Sequence, residues 1–298
     1  MRRHDSGADP LLDDGKRHNI ALAAPYFDGV ELSPDRPFSF WRNLGRITRS
    51  RGFRHGMELR GGCIVPALGG GICLLSNALF RMACELGWTI HERHGHTMEA
   101  APPLDFAPSV CRGVAAADHD QAAAPWGMDA TVFWPHVDLR FAPRSGRVRL
   151  GVTVIGDVLR LCVHGDAPMP DISVILESTA DVIEGVVEGV IERGTETAID
   201  QTIEGQPDAS PVRRNRVVRR IICGTTGRAL ACDTVAENRK RLLDPAGQRR
   251  NCLTCDQTQC HARPRETDQL IQLRTRLARP SGLPEADGSP DGSGVGVH

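Results

Sequence analysis

Residues 69–87 read GGGICLLSNALFRMACELG, and this stretch decides the fold. Three consecutive glycines carry too large an entropic cost to sit inside a helix or strand, so Gly69, Gly70 and Gly71 form a loop. Apolar residues then fall at helical spacing: Ile72, Leu75, Leu79, Met82, Ala83 and Leu86. Gly87 follows as a C-terminal stop. A glycine loop therefore opens a helix, and Cys73 sits in its first turn.

Downstream of that helix the pattern changes period. Trp88 to Arg93, Asp129 to Trp134, Val137 to Phe141, Val148 to Ile155 and Val158 to Val163 predict strands. The last two flank Gly156-Asp157, a hairpin signal. An alanine- and proline-rich stretch from about 100 to 125 reads as a long surface loop. Upstream, Asn19 to Phe27 predicts a short helix or extended segment. Phe38 to Trp41 is an apolar run, and 45–62 is basic and glycine-punctuated, read as loop and edge. A helix followed by antiparallel strands predicts the α+β class.

Composition shifts after Pro170. Val182 begins VIEGVVEGVIER, where β-branched residues and glycine favour strand over helix. Acidic residues dominate 177–208 and basic ones 213–250, which predicts two β-ribbons of opposite charge pairing across a sheet. Nucleic acid is not expected as a partner, because stacking aromatics do not accompany the basic run. The organisation expected is a disordered N-terminus at 1–18 and a first domain at 19–166. A smaller β-rich, Cys-containing region follows at 171–265, then a helix at 266–279 and a disordered tail at 280–298.

The chain has 298 residues, 40% of them hydrophobic, enough for a packed core. Only 4% are aromatic, so aliphatic residues supply most of it. A formal net charge of -1 favours no polyanionic partner. The first residues hold no apolar core of signal-peptide length, and no later run is long enough for a transmembrane segment. A cytoplasmic location is the expectation, and there the ten cysteines are thiols or metal ligands.

Five motifs across 19–142 resemble the VanW-like family in order: Asn19, Phe38-Ser39-Phe40, Gly69 to Ser76, Glu92 to His96 (ERHGH), and Asp129 to Thr131 followed by Asp138-Leu139. Leu74 stands where that family usually has glutamine. The resemblance implies an association with vancomycin resistance or cell-wall physiology, and a peptide or peptidoglycan precursor as ligand.

The chemistry centres on Cys73. A thiol at a helix N-terminus faces the positive end of the dipole and unpaired N–H groups, which lower its pKa. His94 or His96 would deprotonate it and Asp129 would orient that histidine, a Cys-His-Asp arrangement for acyl transfer or amide hydrolysis. Gly69, Gly70, Gly71, Ser76, Glu92 and Arg93 are candidate substrate contacts. The order helix-borne Cys, strand-borne His and strand-borne Asp is similar to the transglutaminase-like and papain-like fold, as an architectural analogy. Two other readings stand open: Cys73 as a buried packing thiol, and Cys73 with His94 and His96 as metal ligands.

A separate signal is Cys252-x2-Cys255-x4-Cys260-His261. Three thiols and an imidazole in ten residues point to zinc first and an iron–sulfur cluster second. This supports the alternative of a non-enzymatic, metal-stabilised binding or accessory protein.

Overall fold

The computed structural model describes residues 9–60, 63–97, 127–166, 170–184, 212–241, 250–254, 264, 267 and 269–272. Helix α1 spans Pro10–Ala23. Asp9 caps it, accepting from the Leu11 N–H at 3.0 Å, and Pro10 occupies a first-turn position that needs no donor. The expectation of disorder through residue 18 is corrected here. Leu12, Gly15, Lys16 and Asn19 form a buried face, hidden in the sequence by the charges around it.

Strands β1 (Glu31–Leu32) and β2 (Phe38–Ser39) lead into helix α2 (Phe40–Leu44), which Ser39 caps by accepting from the Arg42 N–H at 3.1 Å. Strands β3 (His55–Arg60) and β4 (Cys63–Leu68) then pair antiparallel, so the last part of the segment read as loop and edge, His55 to Arg60, is sheet. Gly56 in that stretch serves close packing, as does Gly15 of α1. A Cβ on Gly15 would lie 1.8 Å from the His55 carbonyl oxygen, and one on Gly56 would lie 2.3 Å from that of Gly70. Helix α1, strand β3 and the glycine loop therefore meet backbone to backbone.

Helix α3 runs Cys73–Glu85, as the periodicity predicts, and Gly87 follows it with φ 70°. Strands β5 (Thr89–Glu92) and β6 (Arg140–Ala142) join β2 in a sheet of order β2-β6-β5. Asp129 to Trp134 is not the regular strand expected. It makes only isolated bridges, Thr131 with His94 and Phe133 with Val137. Strands β7 (Val148–Ile155) and β8 (Val158–Gly165) form the hairpin expected at Gly156, which has φ 57°, and β1 extends it.

Strands β9 (Ile172–Glu184), β10 (Val212–Cys223) and β11 (Ala229–Arg241) form an antiparallel sheet of order β11-β10-β9. Opposite charges meet across it, as in the pair of Glu177 with Arg220. The other face of β10 is buried at Val217, Arg219 and Ile221. Arg219 is fully buried, donates to the Trp88 carbonyl at 2.8 Å and pairs with Asp233 at 2.5 Å. This ties the second region to the end of α3, where backbone carbonyls attract a cation. Strand β12 (Arg250–Asn251) lies parallel to β4.

The fold is thus mixed helix and largely antiparallel sheet, an α+β arrangement around α3. Leu75, Leu79, Phe80 and Ala83 of α3 are buried in the main core. The few aromatics are concentrated there: Phe38 stacks on Phe141 at 4.5 Å, and Phe27 lies 4.7 Å from Phe40. No described helix is long and apolar enough to cross a membrane.

Candidate functional site

Cys73 is the first residue of α3, half-buried, with Sγ 3.9 Å from the Thr131 hydroxyl. It also hydrogen-bonds to the His96 side chain. His96 Nδ1 lies 2.5 Å from Asp129 Oδ2, and the His96 backbone N–H donates to the same oxygen at 2.9 Å. The imidazole therefore stands between the thiol and the carboxylate, with Nε2 as the ring nitrogen that Asp129 does not occupy.

The two candidate histidines part here. His94 faces Glu92, with Nε2 3.2 Å from Oε1, and its side chain is 47% exposed. Strand periodicity puts residues i and i+2 on one face, but β5 ends at Glu92, so that rule lapses before His96. Cys73, His94 and His96 do not form a group able to hold a metal ion among the described residues.

The electrostatics follow from this geometry. Burial raises the Cys73 pKa, but the hydrogen bond and positive charge of His96, the Val132 N–H and the Thr131 hydroxyl outweigh it, and the net shift is downward. Burial alone would deprotonate His96, yet Asp129 and Cys73 push its pKa up to about 9. Burial likewise opposes the Asp129 charge, but His96, Lys240 and Arg93 hold that carboxyl far below its ordinary value. Cys84, on the same helix, is the contrast: burial pushes its thiol up to about 12.

The expected substrate contacts turn inward. Arg93 donates from Nε to the Asp129 carbonyl at 2.6 Å, from NH2 to the Gly127 carbonyl at 2.9 Å and from NH2 to Asn238 Oδ1 at 2.8 Å. It also pairs with the Asp129 carboxylate at 3.2 Å. Ser76 is fully buried and donates to the carbonyls of Cys73 and Ala130, at 3.0 and 2.6 Å. Glu92 accepts from the Asp138 N–H at 3.1 Å. Asp138 accepts from Ser39 Oγ at 2.6 Å and from the Trp41 N–H at 3.1 Å. The three glycines give their space to the protein: a Cβ on Gly69 would meet Ile47, on Gly70 the Gly56 backbone, and on Gly71 the Lys16 stem. Asn19 secures the loop by donating to the Gly70 carbonyl at 3.0 Å.

Sequence reasoning missed Lys240 and Asn238. Both are buried on β11, alternating with exposed Glu237 and Arg239. The alternation was the available signal, and the surrounding basic run masked it. Lys240 Nζ pairs with Asp129 Oδ1. Asn238 donates to the Gly127 carbonyl at 3.2 Å and to Asn215 Oδ1 at 2.9 Å.

Of the expected metal ligands, Cys252 is buried, and its N–H donates to the Ile64 carbonyl at 2.9 Å. Cys255, Cys260 and His261 lie outside the described residues. Among the described residues, Cys73, Cys84, Cys223 and Cys232 are free thiols.

Residues 15–160 match the model of a family described as VanW like protein. Over 102 residues, 34% of this chain and 37% of the relative, the sequence is 31% identical to the vancomycin B-type resistance protein VanW of Enterococcus faecalis. Over 126 residues, 42% of this chain and 35% of the relative, it is 32% identical to the uncharacterized protein YoaR of Bacillus subtilis. The chain thus spans little more than a third of each relative. No solved structure matches it significantly, so the transglutaminase-like and papain-like comparison gains no support from known folds.

Proposed function

From the VanW-like segment at residues 15–160, we propose that this chain is a cysteine-dependent acyl transferase or amide hydrolase. The observation that carries the reading is the His96 imidazole held between the Cys73 thiol and the Asp129 carboxylate. The Cys73 thiolate attacks an acyl carbon. The C–N bond breaks, His96 gives its proton to the departing amine, and a thioester forms at Sγ. Water or a second amine then loses a proton to His96 and attacks the thioester, whose C–S bond breaks to release the acyl product and restore the Cys73 thiolate.

The Cys73 N–H is the oxyanion donor in this scheme, since Ile72, Leu74 and Leu75 donate into the turn, to Gly69, Gly71 and Ile72. Leu74 is buried beside Cys73 and keeps the thiol's neighbour apolar. The substrate class proposed is a peptide or peptidoglycan precursor. The Enterococcus relative, named as a vancomycin resistance protein, supports that class.

The test is intact-protein mass spectrometry after incubation with activated peptide esters. A mass increase mapping to Cys73, lost in Cys73→Ser, is expected. Acylation spread evenly over the exposed thiols and lysines, with none preferred at Cys73, overturns the reading.

A further inference from the structure

The Asp129 carboxylate joins two parts of the chain. Oδ2 accepts from the His96 ring and from the His96 N–H, at 2.5 and 2.9 Å. Oδ1 accepts from Arg93 at 3.2 Å and from the Lys240 ammonium. Lys240 stands on β11, outside the VanW-like stretch 15–160, and is 6% exposed. Burying an ammonium costs several kcal/mol unless an anion compensates it, so a lysine at this place is held by its contact with Asp129. Asn238, on the same face of β11, takes Arg93 and the Gly127 carbonyl, so the strand secures the chain on both sides of the carboxylate.

We infer that Lys240 is a positioning residue: by holding Oδ1 it fixes the carboxylate so that Oδ2 alone faces His96. The inference rests on the acyl-transfer reading, in which His96 must stay oriented toward Cys73. It also makes the site incomplete without the β9–β11 sheet. In the absence of Lys240, Arg93 is the cation left on Asp129, and the carboxylate turns toward it and away from the imidazole. The charged and titratable groups facing this assembly are Asp129 and Cys73 around His96, and His96, Arg93 and Lys240 around Asp129.

Position and charge predict opposite signs. Deleting a positive charge near Asp129 stabilises the imidazolium and raises the His96 pKa. Releasing the carboxylate weakens the hydrogen bond and lowers it. The experiment is an NMR titration of His96 in histidine-labelled protein, run beside the pH profile of Cys73 alkylation by iodoacetamide. Wild type is expected to keep the His96 proton to about pH 9.

In Lys240→Met the His96 midpoint falls by about one unit or more, and Cys73 alkylation at pH 7 slows about tenfold. In Lys240→Gln, which keeps a donor for Oδ1 without the charge, the midpoint stays or rises. A midpoint unchanged or raised in Lys240→Met, or lowered in Lys240→Gln, overturns the inference. If Lys240→Met does not fold, the glutamine variant decides alone. An ordinary His96 midpoint and an ordinary Cys73 profile in wild type instead overturn the acyl-transfer reading itself.

Discussion

His96 Nδ1 lies 2.5 Å from Asp129 Oδ2, whereas His94, two residues earlier, faces Glu92. Only one of the two histidines therefore tunes Cys73. With its pKa lowered, Cys73 should be alkylated by iodoacetamide below the pH range of an ordinary thiol, while Cys84, pushed up to about 12, should stay inert. His96→Asn should move the Cys73 profile toward alkaline pH and slow alkylation at pH 7 by about tenfold or more. His94→Asn should leave it in place. Equal effects of the two substitutions, read by peptide mapping across pH 5–9, would sink the assignment of His96.

Asp129 also shapes stability in acid. Its folded pKa lies below the ordinary 3.8, so its stabilising contribution is fully present above about that pH. The contribution is lost as the pH falls toward the folded value. Asp129→Asn leaves Lys240 and Arg93 without their shared anion, and a cost of about 3–5 kcal/mol at neutral pH is expected. Thermal melts from pH 7 to 2.5 should show the two proteins far apart at pH 7 and converging in acid. A gap that does not narrow would refute the linkage.

The glycine loop predicts a steric phenotype. A Cβ on Gly70 would lie 2.4 Å from the Gly56 backbone, which has no flexible side chain to yield. Gly70→Ala should cost about 1–3 kcal/mol and lower Tm accordingly. The Gly70 carbonyl also takes Asn19, so the displaced loop should slow Cys73 alkylation as well. Gly56→Ala should show the same paired losses. A Gly70→Ala protein as stable and as reactive as wild type would mean that the contact relaxes freely.

Zinc is the proposal for the run Cys252, Cys255, Cys260 and His261. Elemental analysis of protein purified without chelator should find zinc near stoichiometric, and Cys252→Ser should reduce it. Because Cys252 is packed beside β4, metal removal should also lower Tm. Metal-free protein with an unchanged melt would remove the proposal.

The helix opening was legible in the sequence because its causes are local. Three glycines exclude a regular element, apolar residues at helical spacing define α3, and Gly87 ends it. Cys73 therefore had to begin a helix, and the resemblance over 19–142 was carried by contiguous motifs. The hairpin at Gly156 was legible for the same reason. What the sequence left open was decided by contacts between distant residues. His96 rather than His94 reaches Asp129 because β5 ends at Glu92, before both histidines, a point that strand periodicity does not register. Lys240 meets Asp129 across 111 residues, and Arg93 meets Asn238 across 145. In the sequence Lys240 is one cation in a basic run. Tertiary packing alone buries it against a carboxylate, where the cost of an unpaired charge makes the contact specific.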